Sequence, residues 1–303
     1  MMTEAQKKKL RSLAAEISFG EPMAAHTTFR VGGPAEAFAV PDEAELASLL
    51  AFAKSERIPV TILGNGSNVL VSDSGLEGLV VSIGEPLSAI AVSGEEIRAG
   101  AGAMIVAVAR AAGEAGLAGL EFAGGIPGSV GGAVMMNGGA YGGEMADVLV
   151  SVTALGEDGR ERTYAAGELA LSYRHSIFME EAHRGEIILS ATMRLTRQDA
   201  AEIQAKMADF NARRREKQPL EYPSAGSTFK RPQGHFAGKL IQDAGLAGFS
   251  VGGAQVSEKH CGFVINKGDA TAADVLAVIR HVQDEVERTS GVRLEEEVRL
   301  FGF

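Results

Sequence analysis

Two glycine-rich stretches hold the residues best placed for chemistry. The first, LGNGSNVLVSD, puts Gly64, Asn65, Gly66, Ser67 and Asn68 after a short apolar run. Small residues with free backbone N–H groups at the end of a strand are what a pyrophosphate needs if main chain is to wrap it. The second, GGIPGSVGGAVMMNGGAYGG (124–143), alternates glycines with Ile126, Val130, Val134, Met135 and Met136. A flexible linker would be hydrophilic. Pro127 fixes a turn while the glycines around it permit positive φ. Neither stretch is a dinucleotide fingerprint opening a helix, nor a P-loop, because G-x-G-x-x-G and Gly-Lys-Ser/Thr are both missing. Taken singly, each could be a set of tight turns. Together with Asn68 and Asn137 they point to one large ligand that carries phosphates.

Composition narrows the ligand. The chain has 303 residues, 46% of them hydrophobic, and a net charge of −10. That size supports several buried cores, and the acidic balance disfavours a nucleic-acid partner. One cysteine, Cys261, excludes an internal disulfide and a cysteine-rich metal site, and the six histidines form no helical metal-binding pair, so no metal is expected. No apolar run reaches the roughly 20 residues of a membrane span, and the first residues lack a signal-peptide core, so a cytoplasmic protein is expected.

The elements that must position the glycine stretches follow from periodicity. Residues 35–40 form a strand. Asp42 is an N-cap with Glu45 three residues on, and Leu46, Leu49, Leu50 and Ala53 share one helical face. VTIL (60–63) is a buried strand, so a β-α-β unit delivers the Gly64–Asn68 loop at a strand's C-terminal end. From about 80 to 197, β-rich runs alternate with one Ala-rich helix at 103–115. An amphipathic helix at 199–217 places Ile203, Met207 and Phe210 on one side, and a domain boundary is expected near 198. A further helix at 271–289 carries Val275, Ile279, Val282 and Val286, with Gly291 closing it. The last strand is VRLEEEVRLF (292–301). Its alternation puts Val292, Leu294, Val298 and Leu300 on one face and Arg293, Glu295, Glu297 and Arg299 on the other.

These stretches, with SYRHSIF, SAGSTFKRP and LEEEVRLFG, make the chain resemble the UDP-N-acetylenolpyruvylglucosamine reductase family, also called UDP-N-acetylmuramate dehydrogenase, from about Thr28 to Phe301. The resemblance implies an α+β protein. Residues 1–84 and 85–197 would form a two-part FAD-binding fold of the vanillyl-alcohol-oxidase type, and residues 198–303 a C-terminal α/β substrate domain. The loops would lie along FAD through Gly64, Asn65, Gly66, Ser67, Asn68, Ile126, Gly128, Ser129, Gly132, Asn137, Gly138 and Tyr141, with Ile188 and Arg299 also at the cofactor. Neither loop contains His or Cys, so FAD is expected to be non-covalent.

The family reaction reduces an enolpyruvyl ether. NADPH reduces FAD, and the flavin then delivers hydride to the vinyl carbon of UDP-N-acetylglucosamine enolpyruvate. Charge builds across C2 and the carboxylate, so the site needs a cation there and a proton donor at C2. The resemblance gives these roles to Arg174 and Ser227, and places Glu297 at the enol intermediate. Taken alone, Arg174 could be a surface ion-pair residue, Ser227 a turn residue after Gly226, and Glu297 one of three adjacent carboxylates. Lys217, Lys230 or Lys239 could polarise the serine. Tyr173, Lys217 and Lys239 are expected at the sugar nucleotide, while the rest of NARRREKQP reads as a solvated helix end. The interval from Arg174 to Ser227 holds no tyrosine except Tyr222, which places the chain in the shorter subclass, without a tyrosine-bearing insertion. No obligate protein partner is implied. Two other readings share these loops: an FAD-dependent oxidase of the same fold, and a catalytically silent sugar-nucleotide binder.

Overall fold

The computed structural model describes residues 1–303. They group into two compact units. The first comprises Met1–Ser18, Ala37–Asn65 and Gly78–Arg214, and the second Phe19–Glu36, Gly66–Glu77 and Arg215–Phe303. These units cut the chain along different lines from the contiguous 1–84, 85–197 and 198–303 segments expected above. Segments 19–36 and 66–77 contribute Phe29, Val31 and Leu70 to one hydrophobic cluster with the C-terminal residues. The helix beyond residue 198 stays with the first unit as far as Arg214.

In the first unit, α1 (Glu4–Arg11) starts at a capping box of Thr3 and Gln6, a helix the sequence reading did not anticipate. The expected helix α2 (Glu43–Glu56) has its box at Asp42: Glu45 N–H donates to Asp42 at 2.8 Å, and Asp42 N–H donates to the Glu45 carboxylate at 3.1 Å. It buries Leu46, Leu49 and Ala53. Strand Val60–Leu63 follows, parallel to Leu79–Ser82. Strand Leu76–Ser82 lies between Val60–Leu63 and Pro34–Ala39, so the two strands of the β-α-β unit are not neighbours. A second sheet is antiparallel throughout, in the order Glu161–Ala165, Leu149–Leu155, Ile187–Arg194, Glu96–Gly100, Ile90–Ser93. Helix α3 (Ile105–Glu114) buries Ile105, Val108, Ala109 and Ala112. The second glycine stretch, expected as a run of turns, contains the six-residue helix α4 (Val130–Met135). Helix α5 (Ala200–Lys217) buries Ile203 and Met207.

The second unit packs α6 (Ala237–Asp243) and α7 (Ala272–Ser290) with a three-stranded antiparallel sheet, Ser250–Val251, Ala254–Val256 and Val264–Asn266. Helix α7 buries Val275, Val278, Ile279, Val282 and Val286, and ends at Gly291 with φ 71°. The final strand is much shorter than expected. Only Arg299–Phe301 forms a strand, in parallel with Val69–Val71, and Glu296 makes an isolated antiparallel bridge with Phe229. Leu294 and Val298 are buried as the alternation requires, but Leu300 is 37% exposed. Lys230 N–H donates to Glu295 O and Glu297 N–H to Thr228 O, but Val298 N–H turns to the same Thr228 O, which breaks this second pairing off after one bridge. The fold is α+β.

Candidate active site

In the first unit the end of strand Val60–Leu63 reaches the second glycine stretch directly. Asn65 Nδ2 donates to Pro127 O at 2.6 Å. A Cβ on Gly64 would stand 2.5 Å from Ser129 Oγ, so glycine is required by close approach. Ser129, 2% exposed, caps α4 by accepting from Gly132 N–H at 3.3 Å. The stretch is strapped down through Ile105 N–H to Gly128 O, Val130 N–H to Ala103 O and Gly131 N–H to Ala101 O. It is a rigid, thin surface. No atom of the chain accepts from the backbone N–H of Asn65, Gly128 or, in the second unit, Ser67. Ile126 is half-buried, and Ile188 is buried in its strand.

Past α4, Asn137 is fully buried with φ 41°. Its Oδ1 accepts from Ala146 N–H at 2.9 Å, and its Nδ2 donates to Ser172 O at 3.1 Å. Gly138 N–H donates to Ala133 O. Asn137 therefore ties the glycine stretch to the segment bearing Arg174. There Ser172 and His175 exchange backbone hydrogen bonds, so Tyr173 and Arg174 form the tip of a tight turn. Buried Ser176 anchors the turn by donating to Met135 O at 2.8 Å. Arg174 has φ 57°, and its guanidinium carbon lies 5.2 Å from the Tyr173 ring centroid. An arginine in the left-handed region is strained, and such strain clusters at functional positions. Tyr141, at a hairpin tip with φ 54°, stacks on Phe210 of α5 with centroids 4.6 Å apart.

In the second unit Gly66 has φ 61° and lies against His26, whose carbonyl oxygen would be 2.0 Å from a Cβ. Asn68 Nδ2 donates to Glu297 O at 3.0 Å, and Asn68 O accepts from Arg299 N–H at 2.9 Å. Thr228, 1% exposed, is held through Val264 N–H to its Oγ1 at 3.0 Å, and its carbonyl accepts from Glu297 N–H at 2.8 Å. Half-buried Ser227, entered through Gly226 at φ 76°, and half-buried Glu297 thus lie on adjoining backbone segments. Glu295 is exposed and pairs with Lys230 at 3.3 Å, whereas Glu297 is half-buried. Lys239 pairs with Asp243, and Lys217 is exposed at the end of α5. His175 pairs with Glu180 at 3.1 Å, and Cys261 is buried with its thiol pushed up by burial.

Comparisons with known proteins place the chain in a family. A profile described as FAD binding domain matches residues 34–164, and one described as UDP-N-acetylenolpyruvoylglucosamine reductase, C-terminal domain, matches residues 218–301. The UDP-N-acetylenolpyruvoylglucosamine reductase of Agathobacter rectalis is 58% identical over 294 residues, covering 93% of each chain. The chain belongs to the UDP-N-acetylenolpyruvoylglucosamine reductase family. The relative from Lactobacillus delbrueckii subsp. bulgaricus is 49% identical over 97% of this chain and 98% of its own. The crystal structure of the reductase from Thermus caldophilus superposes with a TM-score of 0.80 at 36% identity, covering 94% of this chain and 98% of that one.

As a member of this family the chain is an FAD-containing oxidoreductase. The residues present suit that cofactor: glycines too closely packed for side chains, and main-chain N–H groups left for an anion. Sequence reasoning overlooked two side chains that pack on the second glycine stretch, Asn211 and Arg214, both beside Gly125. Arg214, read as part of a solvated helix end, is half-buried. Its spacing carried a signal, because 203, 207, 210 and 214 continue one helical face.

Proposed function

We propose that the enzyme reduces UDP-N-acetylglucosamine enolpyruvate to UDP-N-acetylmuramate, with NADPH as reductant and dissociable FAD, in cytoplasmic peptidoglycan precursor synthesis. The observation that supports the chemistry is the backbone bond from Glu297 N–H to Thr228 O, which brings the segment bearing Ser227 against the segment bearing Glu297, while Arg174 stands on its own strained turn. FAD, when bound, supplies transfer of a hydride equivalent from NADPH to the vinyl carbon.

The chain's own residues handle the charge and the proton. Arg174 binds the enolpyruvyl carboxylate, and its fixed cation stabilises the charge that develops there. The Tyr173–Arg174 turn is anchored by buried Asn137 and Ser176, which keeps reorganisation small. Ser227 donates the proton to C2, on a turn whose next residue is bonded on both sides. Glu297 stabilises the enol. Lys217, Lys239 and Tyr173 contact the sugar nucleotide, and Arg299 faces the flavin. Residues 1–84 and 85–197 carry the cofactor and residues 198–303 the substrate.

The test is anaerobic. The protein is reduced with NADPH, freed of NADP and mixed with the enolpyruvyl sugar, and flavin absorbance is followed in wild type and Ser227→Ala. Rapid reoxidation in wild type, slowed roughly a hundredfold or more in the variant, is expected. Reduced wild type that ignores this sugar yet reoxidises with oxygen would replace the proposal with the oxidase reading.

A further inference from the structure

Residues 27–31 form a tight, pinned turn in the second unit. Thr27, 6% exposed, donates from Oγ1 to Val31 O at 2.9 Å, and Arg30 N–H donates to Thr27 O at 3.1 Å. Phe29 is fully buried, and its carbonyl accepts from Nδ2 of buried Asn266 at 3.1 Å. Oδ1 of the same asparagine accepts from Gly268 N–H at 2.9 Å and from Ala270 N–H at 3.3 Å, so the anchor is itself fixed.

Half-buried Thr28 joins two further segments to this turn. Its N–H donates to Gly66 O, in the first glycine stretch, at 3.1 Å. Its Oγ1 lies 2.6 Å from Ser224 O and 3.4 Å from Gly66 O. A hydroxyl has one hydrogen, and the shorter contact takes it. Ser224 can offer its carbonyl here because its antiparallel pairing with Ile265 is made by the neighbours, Asn266 N–H donating to Pro223 O at 2.9 Å, which leaves the polar groups of Ser224 itself at the opposite edge.

These bonds close a ring within the second unit. It runs from Thr28 to Gly66, along the glycine stretch to Asn68, across to Glu297 through Asn68 Nδ2 at 3.0 Å, from Glu297 N–H to Thr228 O at 2.8 Å, and back along the chain to Ser224. Ser227 lies on that last side, between Ser224 and Thr228. No atom stands within 4 Å of where a Cβ on Gly226 would be, so nothing wedges the span from that side and its two ends set the place of the serine.

We propose that Thr28 is a positioning residue for the reduction: its hydroxyl holds the Ser224 carbonyl while its N–H holds Gly66, and this fixes the distance between the proton donor Ser227 and the first glycine stretch. The proposal rests on the reading above, in which Ser227 gives its proton to C2 of the substrate and the glycine stretch carries FAD. Reduction of the flavin by NADPH uses no proton from Ser227, so that half-reaction does not depend on Thr28.

Thr28→Val keeps the shape and the N–H and removes only the hydroxyl, which Thr28→Ser restores. Both are followed anaerobically through the two half-reactions. In Thr28→Val, reoxidation by saturating enolpyruvyl sugar is expected to slow about tenfold or more, while reduction by NADPH and affinity for FAD stay within about twofold and Thr28→Ser returns to within about threefold of wild type. On a Ser227→Ala background the valine should slow reoxidation by less than about twofold, because a residue acting through the serine has nothing left to position. In ligand-free protein, amide hydrogen exchange across 225–227 should quicken in Thr28→Val while α7 keeps its protection. Equal slowing of both half-reactions would make Thr28 a structural residue only and overturn the proposal. So would undiminished slowing on the Ser227→Ala background, no recovery in Thr28→Ser, or reoxidation of the valine variant at the wild-type rate. Wild type that is reduced by NADPH yet not reoxidised by this sugar would instead overturn the proposed function, leaving the exchange measurement to decide whether Thr28 holds the Ser227 segment.

Discussion

The ion pair between Glu121 and Lys206 should be strongly lopsided in its effect on stability. Glu121 is 3% exposed, whereas the Lys206 side chain is 55% exposed. The Glu121 carboxylate accepts from Gly119 N–H at 2.8 Å and from Lys206 Nζ at 3.2 Å. Burial alone would raise its pKa, but backbone N–H groups of Glu121 and Gly119 together with Lys206 outweigh that and hold it below the usual carboxylate range. Glu121→Ala removes a charge-assisted acceptor, strands a backbone donor and empties space for two methylenes, at a cost of about 3–4 kcal/mol. Glu121→Gln keeps the volume and one acceptor and should cost about 1–2 kcal/mol. Lys206→Met leaves the carboxylate with its backbone donors and removes only a solvated ammonium, and should cost about 1 kcal/mol or less. Urea unfolding of the three variants and the double mutant checks the order. The pH dependence has a definite sign: a carboxylate whose folded pKa is depressed contributes stability above its unfolded pKa, near 4.5, and that contribution is lost as pH falls through the folded value. Glu121→Gln should lack this part of the acid sensitivity. Equal costs for Lys206→Met and Glu121→Ala would refute the reasoning.

Other perturbations probe the glycine stretches and the second sheet. Gly64→Ala forces Ser129 Oγ away from the new Cβ and off Gly132 N–H, so losing the cap should cost about 1–2 kcal/mol in urea unfolding, with weaker FAD retention on gel filtration. Asn137→Ala leaves Ala146 N–H and Ser172 O unpaired and puts alanine at φ 41°; a loss of about 3 kcal/mol or more is expected, together with a lower kcat as the Arg174 turn loosens. Tyr164 is pushed up to about 12, by burial first and then by its hydrogen bond to Glu186. A raised phenol contributes stability that is fully present below its unfolded pKa of 10.0 and is lost as pH rises towards the folded value, so tyrosinate absorbance should show one late-titrating tyrosine that moves only part of the way back in Glu186→Gln, because burial remains.

How far each feature could be read in advance depended on whether its cause was local. Asp42 and Glu45 announce a capping box within four residues, and Gly291 announces a helix end in one; both hold in the structure. The alternation in 292–301 was a weaker guide. It correctly buries Leu294 and Val298, but a strand exists only where a partner strand does, and the partner here is three residues long. The reach of segments 19–36 and 66–77 into the C-terminal core had no local signature, because Phe29, Val31 and Leu70 meet α7 residues more than 200 positions away in sequence. The glycines were legible as a surface thinned for a ligand, yet the side chain pressing on Gly125 lies 89 positions on, which periodicity within the loop could not reveal.

Helix α5 shows why charge runs mislead. Its last turns read NARRREK, and by composition every residue there belongs in solvent. Helical phase says otherwise, since position 214 follows 207 by seven residues and 210 by four, and Met207 and Phe210 both face the second glycine stretch through Gly124 and Tyr141. Burying an arginine there is unfavourable in itself, and an isolated fold would gain from an apolar residue at that position.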